Sequence, residues 1–208
     1  RSAESGVELH LGQRADAQTI AAFAPDSVIL ASGASPTWPV SLAPGANAHD
    51  LKTATQSMLE SDARRGGTAV LFDQDHSAAV YAAAELFAQR FERTVIMTPR
   101  PTIGAKVNYI SMIGVFRRLA ELRVEIIPLS LPRALDGTRL TYRNALNGDE
   151  GEIGDVSCLA FATPRAAAGE LAADLAALNL PVQTIGDCRA PRNMAAAIHE
   201  GHEAGLSC

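Results

Sequence analysis

Short, continuous apolar runs alternate along this chain with longer mixed stretches. The runs are Val7–Leu11, Ser27–Ala31, Thr68–Phe72, Thr94–Thr98, Val124–Leu129, Ser157–Thr163 and Val182–Ile185. Unbroken apolar runs of this length suit strands buried on both faces of a mostly parallel sheet. Helical stretches lie between them. Ala78–Arg90 is alanine-rich, with Leu86 and Phe87 on its apolar side. Ile110–Leu122 places Ile110, Ile113, Leu119 and Leu122 near one face and Arg117, Arg118 and Glu121 near the other. Ala167–Leu178 and Met194–Ala204 complete the set. Strands alternating with helices predict an α/β layered architecture.

Two breaks divide the chain. Ser35 through Gly45 is rich in proline and glycine, which excludes regular structure there. Asn147-Gly148-Asp149 is a turn signal between Arg139–Arg143 and a strand beginning near Glu152, so a hairpin is expected. A compact unit over residues 66–165 is therefore expected, inserted into one domain formed by 1–65 and 166–208.

Charge and cysteine content narrow the function classes. With 18 basic against 23 acidic residues the formal charge is −5, and no Lys/Arg run forms a nucleic-acid footprint. The apolar runs are strand-sized, far short of the roughly 20 residues that cross a bilayer. Cys158, Cys188 and Cys208 are scattered, without the spacing of a disulfide framework or a metal site. With no signal-peptide pattern, a cytoplasmic location is expected. The chain opens without an initiator methionine and soon enters an apolar run, so further sequence upstream is expected.

Two segments carry the candidate chemistry. In Ser27-Val28-Ile29-Leu30-Ala31-Ser32-Gly33-Ala34 a buried strand runs into a turn of small residues. Small residues at a strand end let the backbone pass close to a pyrophosphate or ribityl chain. The same pattern also serves as an ordinary strand exit. In Val182-Gln183-Thr184-Ile185-Gly186-Asp187 a strand ends in Gly-Asp ahead of a helix. That places a carboxylate beside a ligand hydroxyl and helix N–H groups toward phosphates, although Asp187 could equally be a helix N-cap. The two in one chain, in this order, are more specific than either alone.

Ala31-Ser32-Gly33-Ala34 and Ile185-Gly186-Asp187 resemble the second and last fingerprints of flavoproteins with two dinucleotide domains. Ile185-Gly186-Asp187-Cys188-Arg189-Ala190-Pro191-Arg192, with Ala197-Ile198-His199-Glu200-Gly201-His202 beyond it, is similar to the C-terminus of the trimethylamine dehydrogenase group. That group lies within the wider 2,4-dienoyl-CoA reductase and old-yellow-enzyme-like iron–sulfur flavoproteins. The resemblance covers essentially the whole chain but only the last third of a complete enzyme. It implies a Rossmann-like three-layer nucleotide-binding domain with an inserted, degenerate NAD(P)-like Rossmann domain. It further implies ADP or FAD held at Ser32, Gly33, Ala34, Gly186 and Asp187. FMN, substrate and a [4Fe–4S] centre would belong to an N-terminal barrel and a cysteine cluster, neither of which is in this sequence. The GxGxxG turn that opens the FAD-like domain is also missing. An electron-transfer flavoprotein as electron acceptor and a homo-oligomeric state are further implications.

The middle unit departs from a cofactor-binding pattern. Thr68–Phe72 should enter a glycine-rich turn if it bound NAD(P)H, yet it enters Asp73-Gln74-Asp75-His76-Ser77-Ala78. Two carboxylates in place of glycines would repel a pyrophosphate and block its approach. Three functions follow as expectations: the nucleotide-binding region of an amine dehydrogenase or N-demethylase, an NAD(P)H-dependent enoate reductase region, or a scaffold module that binds no nucleotide. Among weaker candidates, His199 and His202 with Glu200 and Glu203 could hold a metal but fit a solvated helix face better. Cys188 and Trp38 read as packing residues.

Overall fold

In the computed structural model, which describes residues 6–207, the chain divides into two compact units. Residues up to Ser35 and from Arg165 onward form one, and Pro36–Pro164 form the other.

In chain order the first elements are α1 (Ala17–Ala22), β1 (Val28–Leu30), β2 (Ala34–Pro36), β3 (His49–Asp50), α2 (Leu51–Leu59) and β4 (Thr68–Asp73). Next come α3 (Ala78–Arg90), β5 (Arg93–Met97), α4 (Tyr109–Glu121), β6 (Glu125–Ile127) and β7 (Ser130–Asp136). The last are β8 (Arg139–Asn144), β9 (Glu150–Ile153), β10 (Val156–Ala162), β11 (Arg165–Ala167), α5 (Glu170–Ala177), β12 (Val182–Thr184) and α6 (Met194–Leu206).

The larger unit has three layers. Its centre is a parallel sheet in the order β3-β10-β4-β5-β6. Every residue of β4 is buried, as its unbroken apolar run requires. Strand alternation sends Ala69, Leu71 and Ile96 to one face, where Tyr81, Phe87, Met112, Val115 and Leu119 of α3 and α4 cover them. Val70, Phe72, Val95, Met97 and Phe161 point the other way. That face is covered by the antiparallel sheet β7-β8-β9, through Leu140 and Ile153. The expected hairpin is the β8–β9 pair. Trp38 packs edge-on against Phe161 and donates its indole N–H to the Leu42 carbonyl at 3.1 Å.

The smaller unit holds a two-stranded parallel sheet, β1 with β12, together with α1, α5 and α6. Among the described residues, side-chain caps start four of the helices: Asp16 accepts from the Thr19 N–H in α1, Asp50 from Thr53 in α2, Asn108 from Ser111 in α4 and Asn193 from Ala196 in α6.

Several expectations need correction. Val7–Leu11 forms no strand; its side chains are exposed and its backbone joins no ladder. The inserted unit begins at Pro36, not near residue 66, because β3 pairs with β10 and α2 packs beside α3. On α4 the buried residues are Met112, Val115 and Leu119, whereas Ile110 and Ile113 face outward. The stretch from Ala167 is β11 followed by a helix that begins only at Glu170.

Candidate functional site

The two turns singled out in the sequence stand at the C-terminal ends of neighbouring parallel strands. β1 pairs with β12 in the register Val28↔Val182, Ile29↔Gln183 and Leu30↔Thr184. The Ile185 N–H continues the ladder onto the Leu30 carbonyl at 3.0 Å. Beyond it, Ser32-Gly33-Ala34 and Gly186-Asp187 leave side by side, with Ser32 Oγ 3.1 Å from Cys188 Sγ. The Ser32 hydroxyl donates to the Ala168 carbonyl, and the Ala168 N–H returns to the Gly33 carbonyl at 3.0 Å.

Gly33 (φ +80) and Gly186 (φ +62) both occupy the left-handed region, which costs a residue with a Cβ about 1–2 kcal/mol. No heavy atom lies within 4 Å of where a Cβ at Gly33 would stand, so its backbone is open to close approach. Gly186 is buried, and a Cβ there would make ordinary contact with Ala197. Its glycine serves the backbone angle alone.

Asp187 does not cap the last helix. A 3-10 turn, Gly186–Cys188, intervenes, and Asn193 is the α6 cap. Asp187 Oδ1 accepts the Arg192 N–H at 2.9 Å, while Oδ2 pairs with Arg165. The Arg192 N–H first, and then the Arg165 charge, hold this carboxyl below its usual range. It is therefore an anion at neutral pH. A carboxylate has about four lone-pair directions, so acceptor capacity remains for a ligand hydroxyl.

Glu200 was missed by sequence reasoning, which put it on a solvated face with His199 and His202. It is buried. Its Oε2 accepts the Gly186 N–H at 2.6 Å, and its Oε1 faces Arg192 and, at 3.4 Å, Arg189. The Arg192 guanidinium and then the Gly186 N–H lower its pKa. The spacing Ala197, Glu200, Ala204 along one helix stripe was the available signal. His199 pairs with Glu203, at 3.2 Å, and His202 is exposed. Among the described residues no group of three or more His, Cys, Asp or Glu side chains could hold a metal.

The loop after β4 in the larger unit is closed from within. Asp73 is fully buried. Its Oδ1 accepts the His76 N–H at 2.7 Å and its Oδ2 the Tyr81 hydroxyl at 2.9 Å. That hydroxyl in turn accepts the Gly104 N–H at 2.5 Å. His76 holds a left-handed backbone (φ +59) with its ring buried, Nδ1 3.5 Å from Asp73 Oδ2. Burial raises the Asp73 pKa and lowers that of His76. Asp75 lies at the surface side and pairs with Lys106 at 2.7 Å. Where a dinucleotide needs bare backbone, this unit carries an imidazole and a buried carboxylate.

No family model matches the chain. In sequence it is 32% identical, over 119 residues, to a probable N-methylproline demethylase of Rhizobium meliloti (strain 1021). That match spans 57% of this chain and 17% of the demethylase. In fold it superposes on histamine dehydrogenase from Rhizobium sp. 4-9 with a TM-score of 0.81 at 20% identity, covering 92% of this chain and 32% of that one. The chain is thus similar in sequence to part of a demethylase and in fold to part of a dehydrogenase. A 2-naphthoyl-CoA reductase gives a TM-score of 0.78 at 21% identity, with 100% of this chain and 30% of that one covered. The likeness extends to the thioredoxin reductase of T. acidophilum at a TM-score of 0.67, with 13% identity over 87% of this chain and 64% of that one. The α/β fold, with its parallel sheet, is thus of the Rossmann type found in those reductases. The chain spans about a third of the length of the first two structures.

Proposed function

We propose that this chain is the ADP- or FAD-binding region of a flavin-dependent oxidoreductase that acts as an amine dehydrogenase or N-demethylase. The observation that carries the reading is the pairing of an open, left-handed glycine turn at Gly33 with the Gly186-Asp187 turn. Both lie at the C-terminal ends of adjacent parallel strands. Ligands of open α/β sheets sit at strand ends of this kind. In this proposal the Ser32, Gly33 and Ala34 backbone passes close to the nucleotide, and Asp187 accepts a hydrogen bond from one of its hydroxyls. Gly186 supplies the backbone angle that sets Asp187 in place.

The larger unit, by its filled loop, keeps a Rossmann shape without an NAD(P)H site. FMN and a [4Fe–4S] centre belong in the proposal to a barrel in the rest of the polypeptide. An electron-transfer flavoprotein takes the electrons there, in a cytoplasmic homo-oligomer. Among the described residues no helix is long and apolar enough to cross a membrane. The likeness to a 2-naphthoyl-CoA reductase supports a second reading as an enoate reductase region, and the same experiment separates the two.

The test is calorimetric titration of the full-length polypeptide, freed of bound nucleotide, with ADP, FAD and NADH. ADP or FAD should bind saturably and NADH should not at sub-millimolar concentration. Asp187→Ala should weaken binding by about 1.5–3 kcal/mol, the usual worth of a hydrogen bond to a charged group. Gly33→Val should weaken it by steric exclusion, and Asp75→Ala should leave it unchanged. Micromolar NADH binding that Asp75→Ala alters and Asp187→Ala does not would assign the site to the larger unit and overturn the proposal.

A further inference from the structure

Glu200 is a buried carboxylate in the second turn of α6, on the stripe with Ala197 and Ala204 that faces inward. Helical side chains lean toward their own N-terminus, and this one leans back onto the Gly186-Asp187 turn. A buried charge is costly unless paired, and each of its oxygens is committed. Oε2 takes the Gly186 N–H at 2.6 Å, and Oε1 takes the Arg192 guanidinium.

From these two contacts a closed ring of bonds runs to Asp187. Gly186 is its chain neighbour. The Arg192 N–H donates to Asp187 Oδ1 at 2.9 Å. The Arg192 carbonyl accepts from Arg165 Nη2 at 3.0 Å, and Arg165 Nη1 pairs with Asp187 Oδ2. Every group that orients the Asp187 carboxylate is thus held, directly or through one residue, by Glu200.

We propose that Glu200 is the positioning residue of the nucleotide site, holding Asp187 in its hydroxyl-accepting orientation through Gly186 and Arg192. This rests on the assignment of the two turns as that site. Glu200 touches no ligand in this scheme, so its effect on binding passes through Asp187. Glu200→Ala removes both anchors. Glu200→Gln keeps an acceptor for the Gly186 N–H and loses the charge for Arg192.

The experiment is a double-mutant cycle on the full-length polypeptide, with amide hydrogen exchange at Gly186 read on nucleotide-free protein. Glu200→Ala should speed Gly186 exchange and raise the dissociation constant for ADP by about tenfold or more, the effect of one charged hydrogen bond. Glu200→Gln should restore slow Gly186 exchange. In the Asp187→Ala background, Glu200→Ala should weaken ADP binding no further, because coupled residues do not add. Additive losses, or Gly186 exchange indifferent to Glu200→Ala, would overturn the proposal. Should the wild type bind neither ADP nor FAD, the nucleotide assignment falls. The exchange data then still decide whether Glu200 holds the turn.

Discussion

Tyr81→Phe isolates a single oxygen in the core of the larger unit. The Tyr81 ring is wholly buried among Leu71, Ile96 and Met112, and phenylalanine would keep that packing. Its hydroxyl donates to Asp73 Oδ2 at 2.9 Å and accepts the Gly104 N–H at 2.5 Å. The substitution therefore strands a buried amide and removes one of two donors from a buried carboxylate. An unsatisfied buried group costs about 1–3 kcal/mol, and more beside a charge, so the two losses sum to roughly 3–5 kcal/mol. Water is poorly placed to substitute, since the Met112 side chain closes over Gly104 within 2.5 Å of its missing Cβ position. For a unit of this size the loss corresponds to a fall in Tm of about 10–20 °C by scanning calorimetry. Urea unfolding at pH 7 should show a lower midpoint with an unchanged slope, because the surface exposed on unfolding is the same. A loss below about 0.5 kcal/mol, within the range of a neutral surface change, would refute the bridging role of this hydroxyl.

Two glycines with the same backbone angle should respond differently to alanine. At Gly67 (φ +78) a Cβ would stand 2.7 Å from the Asp155 carbonyl and 2.8 Å from Ser157 Oγ, whereas at Gly33 the space is open. Gly33→Ala should cost only the backbone strain of about 1–2 kcal/mol, and Gly67→Ala measurably more; equal shifts in urea midpoint would contradict the clash. Stability against pH should report the Asp73–His76 pair. His76 has its pKa lowered from 6.5 by burial, so the unfolded chain takes up its proton first and stability is lost as pH falls below about 6.5. Asp73, raised by burial, works the other way: stability falls as pH climbs from about 4 toward its folded value. His76→Asn, which tolerates the left-handed backbone, should abolish the loss between pH 6.5 and 5 and leave only the Asp73 trend. Wild-type and variant slopes that coincide in urea titrations would show that His76 does not titrate as described.

The α/β class, the strands β4, β5 and β10, and the hairpin of β8 and β9 were legible because their cause is local. An unbroken apolar run suits a strand covered on both faces, and Asn-Gly-Asp suits a turn. The Ser32-Gly33 and Gly186-Asp187 turns were legible for a similar reason, since small residues at a strand exit need no distant partner to be noticed. Their juxtaposition was a matter of tertiary structure, decided when Leu30 paired with Thr184 across the rest of the chain. Val7–Leu11 has strand composition, but no ladder partner is presented to it. β3 is two residues long and exists because β10 offers it an edge, and that pairing moved residues 36–65 into the larger unit. On α4, apolar residues lie on both sides, so the buried stripe of Met112, Val115 and Leu119 was chosen by the sheet it covers. Asp73 could be read only as a charge at a loop mouth until Tyr81 and Gly104 closed around it. Glu200 looked like a solvated helix residue for the same reason: its partners Gly186 and Arg192 reach it only after the turn folds back on α6. Composition sets which segments seek burial, but the partners of a buried charge are supplied by chain folding, because desolvation is repaid only by groups brought within hydrogen-bonding distance.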